Sequence, residues 1–173
     1  RSKRVNDHIS QLLTPVFYNS SWRLKNYDFV EILRGRQEII SRYTELRSST
    51  KNELLEFTKG PLAMSDNDIK AESVLAKEMI QKGVKVRTIY EIEESNHSFD
   101  FALKIDKKIG AETRYNSYLP VKLSLFDDKR TMISMSDPMI MQPNLTALVI
   151  EHSGMNALLK VAFESYWDKS SLV

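Results

Sequence analysis

The sequence predicts an α/β domain built on a mixed, largely parallel sheet with helices on both faces. Three observations carry that expectation. Glu53–Thr58 (ELLEFT) and Val84–Tyr90 (VKVRTIY) read as strands, and the helical stretch between them completes the strand–helix–strand unit of a parallel pair. Short strands follow in quick succession at 111–116, 120–127, 130–136 and 146–151. A last helix opens at Ser153 and has the most regular apolar stripe in the chain, through Met155, Leu158, Leu159, Ala162, Phe163, Tyr166 and Trp167.

Taken in order, Val5, Ile9, Leu12, Leu13 and Val16 recur at helical spacing, and Pro15 ends or kinks that helix. Residues 18–27 lack periodicity. The first 27 residues therefore read as a linker or dimerisation helix with a connector, and 28–173 as the domain proper. The chain opens Arg1-Ser2-Lys3-Arg4 without an initiator methionine, as expected of a piece of something longer. Phe29–Leu33 is a short apolar run stopped by Arg34-Gly35. Ile39, Ile40, Tyr43 and Leu46 then mark a helix from Arg36 to about Ser49. Ser65, with Asp66 and Asp68, suits the positive end of a helix reaching Lys82, and Gly83 suits its left-handed stop. Phe101, Ala102, Ile105 and Ile109 line one side of a helix from Ser98 to Lys108. Asp128-Lys129 reads as the tight turn of a hairpin.

Composition removes several function classes. An apolar share of 42% with 28% charged residues fits a soluble globular domain, and a net charge of +2 is too small to mark a nucleic-acid surface. The absence of cysteine excludes disulfides and thiolate metal sites, and it suits a reducing, cytoplasmic setting. No apolar run approaches the ~18 residues of a membrane span. His8, His97 and His152 lie at no metal-ligand spacing, and no phosphate-binding glycine loop or nucleophile elbow is present, so neither metal nor cofactor is expected. Asp106 and the acidic residues Glu91, Glu93 and Glu94 read as a solvated acidic stretch.

Lys122 stands apart, because it falls in mid-strand between Val121 and Leu123. A buried, unpaired ammonium is very costly. It either points outward from an edge strand, where it discourages aggregation, or lines a wet pocket and offers its charge to a ligand.

Pro120-x-Lys122-x-x-x-x-Asp127 resembles the H-x-K-x-x-x-x-D core of the phospholipase D fold. Ser136-Asp137-Pro138 falls at the Gly-Ser-x-Asn turn of such proteins, Asn144-Leu145-Thr146 at their N-x-E, and Phe163 to Trp167 at an F-x-x-x-W ending. Over nearly the whole chain, Val30–Gly35, Glu53–Phe57, Gly83–Arg87, Leu119–Leu123 and the last helix resemble the C-terminal effector domain of TrmB-like transcriptional regulators. The resemblance implies a phospholipase D-like half, a homodimer, and DNA bound through a winged helix-turn-helix outside these residues. It also implies a catalytically degenerate site. Phospholipase D chemistry starts from a histidine attacking phosphorus, and proline has no group that could do so.

The expected function is thus non-catalytic: effector sensing and dimerisation within a transcriptional regulator. Lys122, Ser124, Thr58, Tyr90, Glu91 and Arg114 are the candidate ligand-binding residues, in a cleft at the strand ends. Lys122 and Arg114 suit a carboxylate, sulfate or phosphate, whereas Thr58, Tyr90 and Glu91 suit hydroxyls. Two alternatives stand beside it: a phospholipase D-type phosphodiesterase using a displaced histidine such as His152, and a dimerisation module without a ligand.

Overall fold

A computed structural model describes residues 29–60, 66–91, 97–135 and 145–172. In chain order they form β1 (Val30–Arg34), α1 (Arg36–Ser48), β2 (Glu53–Thr58), α2 (Asp66–Gln81), β3 (Lys85–Glu91), α3 (His97–Ile109) and β4 (Glu112–Asn116). There follow β5 (Lys122–Phe126), β6 (Arg130–Met135), β7 (Thr146–Glu151), α4 (Ser153–Lys169) and β8 (Ser171–Leu172). All eight strands join one sheet in the order β1-β7-β6-β5-β2-β3-β4-β8.

The sheet is mixed, but it is not largely parallel. Only β2–β3 and β3–β4 pair in parallel, and the other five pairings are antiparallel. A parallel pair needs a crossover long enough to return the chain to the same end of the sheet. α2 and α3 supply two such crossovers, whereas the three-residue link from β5 to β6 can only reverse direction.

Strand alternation divides the core between the two faces. Leu54, Val86, Phe126, Met132 and Val149 turn to the face covered by α1 and α2, where Leu33, Ile39, Leu46 and Met79 complete the cluster. Leu55, Phe57, Ile89, Leu123 and Leu125 turn to the other face and meet Phe163 and Trp167 of α4. Arg87 fastens that helix down. Its guanidinium donates to both Glu164 oxygens (2.8 and 2.5 Å) and lies 5.2 Å from the ring centres of Phe163 and Trp167.

Several local expectations change in the fold. The run before Gly35 is an edge strand, β1, paired to β7. The β5–β6 loop includes Asp127 as well as Asp128 and Lys129, since Phe126 pairs with Arg130. His152, not Ser153, caps α4: its Nδ1 accepts from the Met155 N–H at 3.1 Å. On α4 itself, Phe163 and Trp167 are buried with Asn156, while Met155 and Leu158 are exposed. The expected linker helix, Ser65, residues 136–138 and Asn144 lie outside the described residues. Gly83 does take the left-handed conformation (φ +89°) beyond α2.

Asp127 holds the central strands in register. With φ +53° it tolerates a conformation costly for most side chains. Its carboxylate accepts from the backbone N–H groups of Lys51 (3.2 Å), Asn52 (2.7 Å) and Glu53 (3.2 Å) at the start of β2. Asp127→Ala is therefore expected to lose about 2 kcal/mol in urea unfolding, because three backbone amides lose a shared charged acceptor. Asp127→Asn, which keeps an acceptor and tolerates the same backbone, is expected to lose less than half of that. Equal losses would show that the carboxylate does not act as this clamp.

Candidate functional site

The register aligns polar side chains in two rungs across four neighbouring strands. Thr88, Glu56, Ser124 and Met132 stand side by side on β3, β2, β5 and β6. One step towards the carboxyl end of β2, Tyr90 pairs with Thr58 and Lys122 with Ser134. Continuing the β2–β5 register by one residue brings Thr58 beside Lys122. The preceding rung is apolar on β3, β2 and β5, with Val86, Leu54 and Phe126, and ends on β6 at Arg130. The sheet thus changes from oily to polar along one face, under α1, α2 and α3.

A cavity of about 140 Å³ occupies that space. The two polar rungs form its floor. Ile39, Tyr43 and Arg47 of α1, Ile69 and Glu72 of α2, and Ala102, Ile105 and Asp106 of α3 form its walls. Among the described residues no set of three His, Asp or Glu side chains is arranged to hold a metal ion. The same residues include no helix long and apolar enough to cross a membrane.

The charges in the cavity are arranged unequally. Arg47 is buried and donates to Glu72 at 2.9 Å, and Glu72 also accepts from Thr44 at 2.6 Å. Burial alone would depress the Arg47 pKa, but Tyr43, Glu56 and Glu72 around it raise it instead, so it stays charged. Glu56 accepts from Tyr43 (2.6 Å) and Ser124 (2.9 Å) through a single oxygen. Asp106 accepts from the Tyr90 hydroxyl at 2.7 Å. Burial pushes its carboxyl up to about 6, with the Glu56 charge adding to the rise, while the Tyr90 bond and Arg47 oppose it. Burial also holds the Tyr43 and Tyr90 hydroxyls well above the usual phenol range, so both remain donors.

Lys122 is the exception to this pairing. Its ammonium lines the cavity and takes no hydrogen bond or ion pair among the described residues. Burial depresses its pKa, partly offset by the charge of Glu56. Here a cation is held in a low-dielectric space without a direct partner, which destabilises a fold unless a ligand compensates.

Four of the six residues singled out from sequence, Lys122, Ser124, Thr58 and Tyr90, meet at this cavity. Glu91 and Arg114 lie on the opposite face. Glu91 accepts from Lys59 (3.2 Å) and from the Leu119 N–H (2.5 Å), and Arg114 donates to the Trp167 carbonyl at 2.5 Å beneath α4. Consecutive strand residues point to opposite faces, so Tyr90 and Glu91 could never share a wall. Pro120 is exposed and lines no part of the cavity.

Sequence reasoning missed Glu56, Arg47, Glu72 and Asp106, and Asp106 is no solvated acid. Glu56 carried a usable signal: like Lys122 it is a charge in mid-strand, with a polar neighbour two residues on. The α1 to α3 residues carried none, because helix position alone does not say which turn overlies which rung.

The folded state binds the Asp106 proton more tightly than the unfolded chain, whose carboxyl has its ordinary value of 3.8. Its contribution to stability is therefore full below that value, falls as pH rises towards 6, and stays low above it. Asp106→Asn is expected to be more stable than the parent at pH 7.5, by on the order of 2 kcal/mol, with the gain vanishing near pH 4. Chemical unfolding at both pH values checks this, and a gain equal at both would remove the buried ionisation as its cause.

By sequence, the chain matches no protein-family model and no curated protein. Its fold is nevertheless shared with solved structures. TrmBL2, described as an archaeal chromatin protein with a novel mode of DNA binding, superposes with a TM-score of 0.64 at 18% identity. That match covers 99% of this chain and 62% of TrmBL2, so the chain spans less than two thirds of that protein's length. Nuc from Salmonella typhimurium, a phospholipase D family member, matches over 83% of this chain and 97% of its own (TM-score 0.67, 10% identity). NucT from Helicobacter pylori matches over 83% and 98% (TM-score 0.65, 12% identity). The chain therefore has the phospholipase D-like fold, shared alike by the Nuc and NucT chains and by a TrmB-like protein.

Proposed function

We propose that this chain is the effector-sensing and dimerisation domain of a TrmB-like DNA-binding transcriptional regulator, and that it works without catalysis. The observation that carries this reading is the cavity under α1 to α3, with an unpartnered ammonium at Lys122 in its floor. A site of about 140 Å³ is close to the ~150 Å³ of an engineered cavity that accepts benzene, so it takes a ligand of on the order of six to ten non-hydrogen atoms. Lys122 donates to ligand oxygens, and Asp106 and the second oxygen of Glu56 accept from ligand hydroxyls. A small hydroxylated molecule meets both demands. Arg114 lies away from the site, so a ligand carboxylate or phosphate would meet Lys122 without its help.

Regulation requires the ligand to favour one arrangement of the protein over another. Because α1, α2 and α3 each wall the cavity while β2, β3, β5 and β6 floor it, a ligand contacts elements that can shift against one another. The similarity to TrmBL2 supports DNA as the eventual partner, contacted through a helix-turn-helix outside these 173 residues. A homodimer in the cytoplasm is the setting in which such a domain works.

A phosphodiesterase reading draws on the Nuc and NucT folds. Against it, Pro120 occupies the position of the attacking histidine and offers no nucleophile. His152 already accepts a backbone hydrogen bond as the cap of α4, and no histidine is among the described residues that line the cavity.

Calorimetric titration of the chain with neutral monosaccharides, glycerol, acetate and inorganic phosphate tests the proposal. A hydroxylated probe is expected to bind, to add about 2.7 kcal/mol of stability at 100 times its dissociation constant, and to lose binding in Lys122→Met. The unliganded variant is expected to unfold at a temperature no lower than the parent, since it sheds a buried unpaired charge. Binding unchanged in Lys122→Met, or turnover of a chromogenic phosphodiester by the parent chain, overturns the reading.

A further inference from the structure

α4 wears its polarity inside out. Its two charged residues between Ser153 and Ser165, Lys160 and Glu164, turn towards the sheet and pair with Glu53 and Arg87. The outward positions carry Leu158, 65% exposed, and Val161, 69% exposed, with small or apolar residues around them. A helix packed on one side of a soluble domain ordinarily shows the reverse pattern.

The sheet beside it is equally bare. α4 packs against β2, β4, β5 and β6. On that same face the next strands continue with Ile133–Leu148–Ile32 and Thr131–Ile150–Val30. Ile32 is 56% exposed and Val30 40% exposed, on the strand that forms the sheet edge. The outward face of α4, about 25 Å long at 1.5 Å per residue, is too narrow by itself for the ~800 Å² per partner of a stable interface. The exposed Val30 and Ile32 of β1, on the same face of the sheet, extend the apolar surface beyond the helix.

We infer that this patch is the surface on which two copies of the chain meet, with α4 crossing its own copy antiparallel near Val161. The inference rests on the homodimer of the proposed function and names its surface. A two-fold contact sets the residues on its axis beside their own images, so a charge at the centre would repel itself, and Leu158 and Val161 there carry none. At the ends, the two-fold sets Asp168 of one copy beside the first turn of the other α4, a helix N-terminus with no acidic residue in that turn. Such an isologous contact explains why α4 keeps its charges for the sheet and presents Leu158 and Val161 outward.

The chain contains no cysteine, so one introduced thiol reports position cleanly. Helix axes 8–10 Å apart with Cα atoms about 2.3 Å off axis leave facing Cα atoms roughly 3.4–5.4 Å apart, and the wider of these spacings fall within the roughly 4.4–6.8 Å that a disulfide spans. Val161→Cys is expected to form a covalent dimer under mild copper-catalysed air oxidation. Val74→Cys on α2, 60% exposed on the other face, is expected to stay monomeric under the same treatment. Leu158→Glu is expected to weaken dimerisation about 100-fold in sedimentation equilibrium, since each copy buries a charge without a partner, with its far-ultraviolet circular dichroism unchanged. A parent chain that sediments as a monomer defeats the homodimer itself. A dimeric parent in which Val161→Cys does not cross-link defeats only this surface, and it points to another face.

Discussion

The pairing of β2 with β5 is the constraint on which the rest of the molecule depends. Slipping it by one residue would turn Leu123 and Leu125 away from α4 and drive Lys122 and Ser124 into the Phe163–Trp167 cluster, with every side chain of β5 reversed. Asp127 opposes that slip from the end of β5, where one carboxylate gathers three backbone amides at the start of β2. The aspartate of the phospholipase D-like pattern is thus occupied in holding strands together. The hydrogen bonds span some seventy-five residues of sequence, and the two polar rungs exist because they hold.

A sheet arranged in this way carries an internal conflict. Its apolar rung, Val86–Leu54–Phe126, supplies ordinary hydrophobic stability, at roughly 25 cal/mol for each Å² removed from water. The next two rungs place Glu56 and Lys122 under the same helices, where charge is penalised. Tyr43, Ser124, Thr44 and Tyr90 relieve most of that penalty by donating to Glu56, Glu72 and Asp106. None of them accepts a hydrogen bond from Lys122. Local rules are broken at one place in an otherwise consistent fold, which is where a binding role is to be sought.

The two faces of the sheet divide the labour of the domain. Among the described residues, three helices on one side enclose a polar space, whereas one helix lies on the other, over β2, β4, β5 and β6. Arg87 and Arg114, set against the rings and backbone of α4, anchor that helix firmly enough to present its outer residues as a fixed surface. A ligand bound between the sheet and α1 to α3 is separated from that surface only by the thickness of the sheet, and the same strands contribute to both.

How much of this could be read beforehand follows from the range of each interaction. Most helices and strands were legible, because 2-residue and 3.6-residue periodicities are local and survive in any context. The mid-strand position of Lys122 and the stop at Gly83 were equally plain, each being a property of one or a few adjacent residues. Strand direction was not legible. The direction of β1 and β7 depends on which distant partner each finds, and Glu56 meets Ser124 only through pairing across sixty-eight positions. The amphipathic stripe of α4 was visible as a pattern, but not which edge of it faces inward, since Arg87 and Glu53 decide that from another part of the chain. Sequence alone determined the elements and the one misplaced cation. The fold decided what surrounds it, because a cavity is made of residues whose only relation is contact in space.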